Sequence, residues 1–206
     1  MVGLPHNCRA IMQRANPPGI GTLTEKELLD RLKVGVFLDQ NKKKYWIDPN
    51  NYNCFMVFAR DFTITFGRDK RYWDWDSFQE TSKVFIEIVF LVKVMWLDVR
   101  GEIETSDLTP DVMYEVVFVM SLKDAASGWN IPVNLKLILP DGTKLERQED
   151  FSSKPKKQIL ETVVGEFKTY QGMQGKIKFS LWEIKGEKIK LWKTGLVIKG
   201  AIIRPK

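Results

Sequence analysis

The stretch Val133-Asn134-Leu135-Lys136-Leu137-Ile138-Leu139-Pro140-Asp141-Gly142-Thr143-Lys144-Leu145 decides the class of fold. Val133, Leu135, Leu137 and Leu139 fall on every second position, the period at which an extended strand turns one face to a core. Pro140-Asp141-Gly142 then reverses the chain, because proline presets one turn residue and glycine supplies a positive φ. Thr143-Lys144-Leu145 begins the return, so the stretch predicts a β-hairpin with one buried face.

The same alternation recurs outward from it, at Phe55, Val57 and Ala59 and again at Phe62, Ile64 and Phe66. Segments rich in β-branched and aromatic residues follow at Val92 to Ile103, Val112 to Met120, Ile177 to Ile184 and Leu196 to Ile203. Eight or more short strands with little helix predict an all-β protein, an antiparallel β-sandwich of jelly-roll-like form. Periodicity does not order the strands. A short helix is expected near residues 24–34, where Thr24-Glu25-Lys26-Glu27 reads as a capping box ahead of Leu28, Leu29 and Leu32. Asn16-Pro17-Pro18-Gly19 reads as a turn, and Gln40 to Lys44 as a polar hinge. The predicted organisation is a partly flexible N-terminal extension, residues 1–44, and a single domain, residues 45–206.

At 206 residues, 44% of them hydrophobic, the chain has enough apolar material for one sizeable core. The apolar run from Val84 to Val99 is broken by Glu87, Lys93 and Asp98, so no membrane insertion is expected. The start carries Arg9, Arg14 and Pro17-Pro18 where a secretory signal needs a continuous apolar stretch, which predicts no signal peptide and a cytosol-like compartment. Cys54 sits in an apolar strand pattern and reads as a core residue, whereas Cys8 is placed in the flexible start, free to bridge two molecules. The net charge of +6 is unevenly distributed. Residues 154–206 hold thirteen basic and four acidic side chains, a block able to attract a polyanion such as RNA, although a solvated basic sheet face is the plainer reading.

Catalysis finds little support. The single histidine, His6, lies in the segment expected to be least ordered, and with two distant cysteines it cannot form a zinc site. Gly19-Ile20-Gly21 lacks the lysine and hydroxyl of a phosphate loop. Asp74 and Asp76 could face one another as a glycosidase pair, but carboxylates two apart on a strand are more simply solvent-exposed. The expectation is a protein without enzymatic activity, cofactor or metal.

Ile64-Thr65-Phe66-Gly67-Arg68-Asp69-Lys70-Arg71-Tyr72-Trp73-Asp74-Trp75 packs four aromatics around a charged loop. A pyranose offers an apolar C–H face that can lie on such a ring, while its hydroxyls need fixed polar partners. A core edge explains the same residues, and composition does not choose. In an extended stretch Trp73 and Trp75 share a side, so one is expected to meet ligand and the other to pack.

Asn53-Cys54-Phe55-Met56-Val57-Phe58-Ala59-Arg60-Asp61-Phe62-Thr63-Ile64-Thr65-Phe66 resembles the opening strands of the Nictaba, or phloem protein 2, lectins. Arg71-Tyr72-Trp73-Asp74-Trp75 resembles that family's Tyr-Trp-x-Trp segment. Trp96 to Ile103, Gly165-Glu166-Phe167, Leu181 to Ile184 and Trp192 to Gly200 follow its pattern in order, from about Tyr45 to Lys206. The resemblance implies a non-enzymatic sandwich that binds oligomers of N-acetylglucosamine, such as chitin oligomers and N-glycan cores, in plant cytosol, nucleus or phloem sap. It also implies a sugar site. Trp73 falls at one family tryptophan and Phe66 at the other; Glu183 falls at one family glutamate and Lys176 at the second, with Asp69 expected as a further acceptor. The larger cucurbit phloem lectins share a basic extension, and through them RNA binding and a homodimer or filament enter as alternatives, with Lys42 to Lys44 and Lys154 to Lys157 as phosphate grips.

Overall fold

The computed structural model describes residues 3–15 and 23–206. The turn expected at Asn16 to Gly19 and the Gly19-Ile20-Gly21 run lie outside the described residues. In chain order the strands are β1 Val36–Leu38, β2 Lys43–Ile47, β3 Asn53–Phe58, β4 Thr63–Ile64, β5 Trp73–Thr81, β6 Val84–Leu91, β7 Leu97–Glu104, β8 Met113–Ser127, β9 Val133–Ile138, β10 Lys144–Glu149, β11 Leu160–Lys168, β12 Lys176–Glu183 and β13 Thr194–Pro205. Three α-helices, α1 Cys8–Met12, α2 Glu25–Val34 and α3 Lys185–Lys188, and two short 3-10 turns, Ala59–Asp61 and Thr105–Asp107, complete the described elements.

The hairpin read from residues 133–145 is present as β9 and β10, with Ile138 opposite Lys144. Its turn closes through Gly142 N–H donating to the Leu139 carbonyl at 3.0 Å, and Gly142 sits at φ 87°. Asp141 adds a side-chain bond, accepting from Thr143 N–H at 2.8 Å. This hairpin forms one edge of a five-stranded antiparallel sheet in the order β10-β9-β12-β7-β4. The second sheet has eight strands and is built on β13, which pairs with β8 along one side and with both β3 and β6 on the other. Strand β13 shifts register between Ile198 and Gly200. There a Cβ on Gly200 would meet the Val57 carbonyl oxygen at 2.2 Å, so only glycine lets β3 close onto the bulge.

Inward residues of both sheets fill the space between them. Val133, Leu135, Leu137, Ile177, Phe179 and Leu181 come from the smaller sheet, and Phe55, Val57, Tyr114, Val116, Phe118 and Ile203 from the larger, all buried. Phe118 and Phe179 meet edge to face across the layers at 5.7 Å, and Phe62 joins both at 5.9 and 5.8 Å, the geometry that aromatic quadrupoles prefer. The fold is therefore an all-β antiparallel sandwich with a short N-terminal helix.

Three expectations need correction. The boundary placed at residue 44 falls inside β2, which pairs with β1 and β3. Its lysines occupy the partly exposed positions of a strand whose Tyr45 and Ile47 are buried, and the supposed hinge is the β1–β2 turn, with Asp39, Gln40 and Asn41 all at positive φ. Cys8 is 2% exposed inside α1, beside Ile11 and Met12 in the common core, so it cannot bridge two folded molecules. Residues before 44 are further tied in by Leu28 and Leu32 of α2, by an Arg14–Asp107 ion pair at 2.7 Å and by Asn53, whose amide donates to the His6 carbonyl at 2.8 Å. Finally, Val92 to Ile103 is not one strand: β6 ends at Leu91, and the chain crosses to the other sheet before β7 begins at Leu97. Helix α2 opens as expected, with the reciprocal Thr24 and Glu27 capping bonds in place.

Buried ionisable groups set the alkaline limit of the fold. Loss of hydration on burial raises the thiol of Cys8, pushes that of Cys54 up to about 12, raises the phenol of Tyr45 and pushes that of Tyr114 up to about 12. The unfolded chain ionises first, at about 8.5 for cysteine and about 10 for tyrosine. Stability is thus fully present below the unfolded values and is lost as pH rises toward the folded ones. The denaturant midpoint is expected to fall steadily from about pH 9 to about pH 11, while both thiols of the native protein resist a thiol-reactive dye at neutral pH.

Candidate functional site

Alternation along β5 puts Trp73 and Trp75 on one side, and both indole N–H groups donate into the preceding loop. Trp73 Nε1 bonds the Thr65 carbonyl at 3.1 Å, and Trp75 Nε1 bonds the Gly67 carbonyl at 2.7 Å. The two rings clamp residues 65–67 to the strand. Trp73 is 1% exposed and belongs to the core, so its face is closed to any ligand. The sequence-based expectation that it stacks on sugar is corrected: the residue that packs is Trp73, and Trp75 keeps a half-buried ring with the Arg60 guanidinium 4.8 Å from its centroid.

Phe66, in contrast, is 53% exposed. It sits at φ 62° in the turn closed by Gly67 N–H on the Ile64 carbonyl at 2.9 Å, a backbone region that bulky residues avoid. Its ring leans on Tyr72 with centroids 5.0 Å apart. Asp69 lies in the same loop, where its carboxylate accepts from the backbone N–H of Arg71 at 3.0 Å and from the guanidinium at 2.6 Å. Those bonds hold the Asp69 carboxyl below its ordinary range and spend much of its acceptor capacity on the loop itself.

Glu183 is 1% exposed, another departure from the expected sugar contact. It ends β12 in phase with Ile177, Phe179 and Leu181, and so points inward. Its carboxylate accepts from the backbone N–H groups of Lys185 and Gly186 at the start of α3 and forms an ion pair with Lys193, itself 0% exposed. Lys176 stands at the far end of the same strand, roughly 23 Å away at the strand rise, where it pairs with Glu102 and Glu104. No single sugar unit could touch both. Of the four residues expected at a sugar site, the structure leaves Phe66 and Asp69 accessible and makes Trp73 and Glu183 part of the framework.

A broad concavity lies elsewhere, on the outer face of the five-stranded sheet. It is a cleft of about 660 Å³, bounded by β4, β7, β12 and β9 and by Trp96. Because Phe179 and Leu181 point in, Ser180 and Trp182 point out. Ser180 stands between Arg100 on β7 and Lys136 on β9, so a short side chain forms the floor between long ones. Trp182 stands beside Asp98, with the Lys136 ammonium 5.6 Å from its ring centroid. Arg100 grips the Asp98 carboxylate through two hydrogen bonds of 2.9 and 2.7 Å, and Thr65 Oγ1 donates to the same group at 3.2 Å. Trp96, 41% exposed, closes one end. Aromatic faces beside pre-positioned charged and hydroxyl groups suit a ligand with apolar C–H faces and polar edges. The sequence did carry a signal for this cleft: a tryptophan out of phase with the buried residues of its strand.

Four of the lysines named as RNA grips have partners, whereas Lys42 and Lys44 form no ion pair among the described residues. Lys43 pairs with Asp39 and Asp61, Lys154 with Glu149 and Lys157 with Asp124, and Lys156 donates to the carbonyls of Asp124 and Ala126. Among the described residues no group of three or more His, Cys, Asp or Glu is placed to hold a metal ion, and no helix is long and apolar enough to cross a membrane.

A family model described as phloem protein 2 matches residues 52–205. The chain is 42% identical to Protein PHLOEM PROTEIN 2-LIKE A1 of Arabidopsis thaliana, over 98% of this chain and 81% of that protein. It is 40% identical to a protein of Luffa acutangula named Lectin, over 100% of this chain and 96% of that one. Among solved structures, TmCBM61 in complex with beta-1,4-galactotriose aligns with 13% identity and a TM-score of 0.41, over 72% of this chain and 91% of that one.

Proposed function

We propose that this chain, which belongs to the phloem protein 2 family, is a carbohydrate-binding protein without enzymatic activity, and that its ligand lies in the cleft on the outer face of the five-stranded sheet. The observation that carries this reading is the pairing of Trp182 and Trp96 with the Asp98–Arg100 clamp around a floor made by Ser180. Pyranose rings stack on the indoles, and their hydroxyls bond Lys136 and the exposed Arg100 guanidinium, which the buried Asp98 carboxylate holds in place. Oligomers of N-acetylglucosamine, free or in N-glycans, are the proposed ligands. Family membership and the relative named Lectin support that choice, as does the apolar contact that an acetamide methyl finds in Ile138 and Ile184. Exposed Phe66, one residue beyond the Thr65 contact to Asp98, is assigned the role of an accessory ring. Phloem sap is the proposed location, by kinship with the phloem proteins.

Titration calorimetry with chitotriose tests the site. Trp182→Ala is expected to weaken binding at least tenfold, equivalent to about 1.4 kcal/mol, with an unchanged circular dichroism spectrum, and Phe66→Ala is expected to weaken it less. Parental affinity in a folded Trp182→Ala protein would remove the cleft from consideration.

A further inference from the structure

A second cleft, of about 520 Å³, opens on the other side of edge strand β4. Thr63 lines both clefts, so the two meet across that two-residue strand. Their electrostatics differ. In the first, Asp61, Asp98 and Glu102 balance Arg100, Lys136 and Lys178. The second is lined by Lys42, Arg60 and Arg68, with Trp75, Phe62, Ile64 and Gly67, and by no acidic side chain.

The nearby carboxylates do not neutralise it. Asp61 turns to Lys43 at 3.0 Å, and Glu87 meets Arg60 at 3.0 Å in a pair whose partners are 48% and 47% exposed, open to exchange with another anion. Lys42 and Arg68 have no ion-pair partner among the described residues. Trp75 is held in place by its bond to the Gly67 carbonyl, which presents a fixed ring wall beside the three cations. Arginine's planar fork matches a carboxylate or sulfate through paired hydrogen bonds.

We infer that the second cleft is an anion subsite, and that the chain prefers oligosaccharides bearing an acidic group, carboxylate or sulfate, on a sugar unit that reaches past β4 from those seated over Trp182. This rests on the sugar reading of the first cleft. A nucleic acid is the weaker candidate for the same cations, because a longer phosphate track would need Lys154, held by the largely buried Glu149 carboxylate, and Lys156, which donates to the carbonyls of Asp124 and Ala126.

The test is titration calorimetry on the full chain with chitotriose, a trimeric uronate, a sulfated trimer and a short oligouridylate. Each is run against the parent, a Lys42→Ala/Arg68→Ala variant and Trp182→Ala. The uronate or sulfated trimer is expected to bind the parent about tenfold tighter than chitotriose, with the margin shrinking as salt rises to about 0.5 M. The double variant is expected to lose that margin and keep its chitotriose affinity; which acidic trimer gains more identifies the group. Equal affinity of parent and double variant for both acidic trimers overturns the inference, as does a tighter, Lys42- and Arg68-dependent grip on oligouridylate. Acidic binding that responds to the double variant but not to Trp182→Ala upholds the subsite and overturns the first cleft. Absence of binding by every trimer overturns both.

Discussion

Trp73→Ala is expected to lower the free energy of unfolding by about 3–5 kcal/mol, the range for deleting a large buried aromatic. The indole is almost fully enclosed at the start of β5, and its N–H is the partner of the Thr65 carbonyl. Truncation therefore opens a cavity in the core and leaves that carbonyl without its donor. It also frees one of the two clamps on residues 65–67, the other being Trp75 to Gly67. The loop that carries Phe66 and Asp69 should loosen before the rest of the sandwich, visible as faster amide exchange at residues 65–72. Urea denaturation measures the main effect as a lower midpoint at constant slope. A variant with the parental midpoint that no longer binds chitotriose would show that the ring meets ligand after all, against its enclosure here.

Much of the architecture was open to sequence reasoning because the physics behind it is local. Alternation at Val133 to Leu139 and the Pro140-Asp141-Gly142 turn require only neighbouring residues, and so does the Thr24 to Glu27 capping box. Helix α1 has five residues, too few for a period to show, and its burial depends on contacts from distant strands. At the site, periodicity gives the side of a strand and not the depth. It put Trp73 and Trp75 together correctly but could not say that the loop folds over the first of them. Applied to β12, the same rule places Glu183 with Phe179 and Leu181 inside and Trp182 outside, a reading that the resemblance to family site residues obscured. Charge was legible while pairing was not: Lys154 and Lys157 look free in the sequence until the loop that carries them folds back on Glu149 at the end of β10 and lies against Asp124 of β8.

The ion pair between Glu183 and Lys193 leads to the second large effect. The Lys193 ammonium is wholly buried and finds its counter-charge in Glu183, with no neutral hydrogen-bond acceptor among the described residues. Glu183→Gln keeps the volume and can still accept from the amides of Lys185 and Gly186, but it strands a positive charge in the core. Breaking a buried pair in this way costs about 3–5 kcal/mol. Lys193→Met is expected to cost less, because the remaining carboxylate retains those two backbone donors. Combining Glu183→Gln with Lys193→Met should recover most of the loss, since neither residue then carries a buried charge, and the coupling appears as strong non-additivity in a double-mutant cycle. Glu183 precedes Ile184, which lines the cleft proposed for sugar, so the single Glu183→Gln change should also weaken chitotriose binding and the double change restore it. A ligand role for Glu183 predicts the opposite pattern: normal stability in the single variant, with binding lost and not regained when Lys193 is replaced as well.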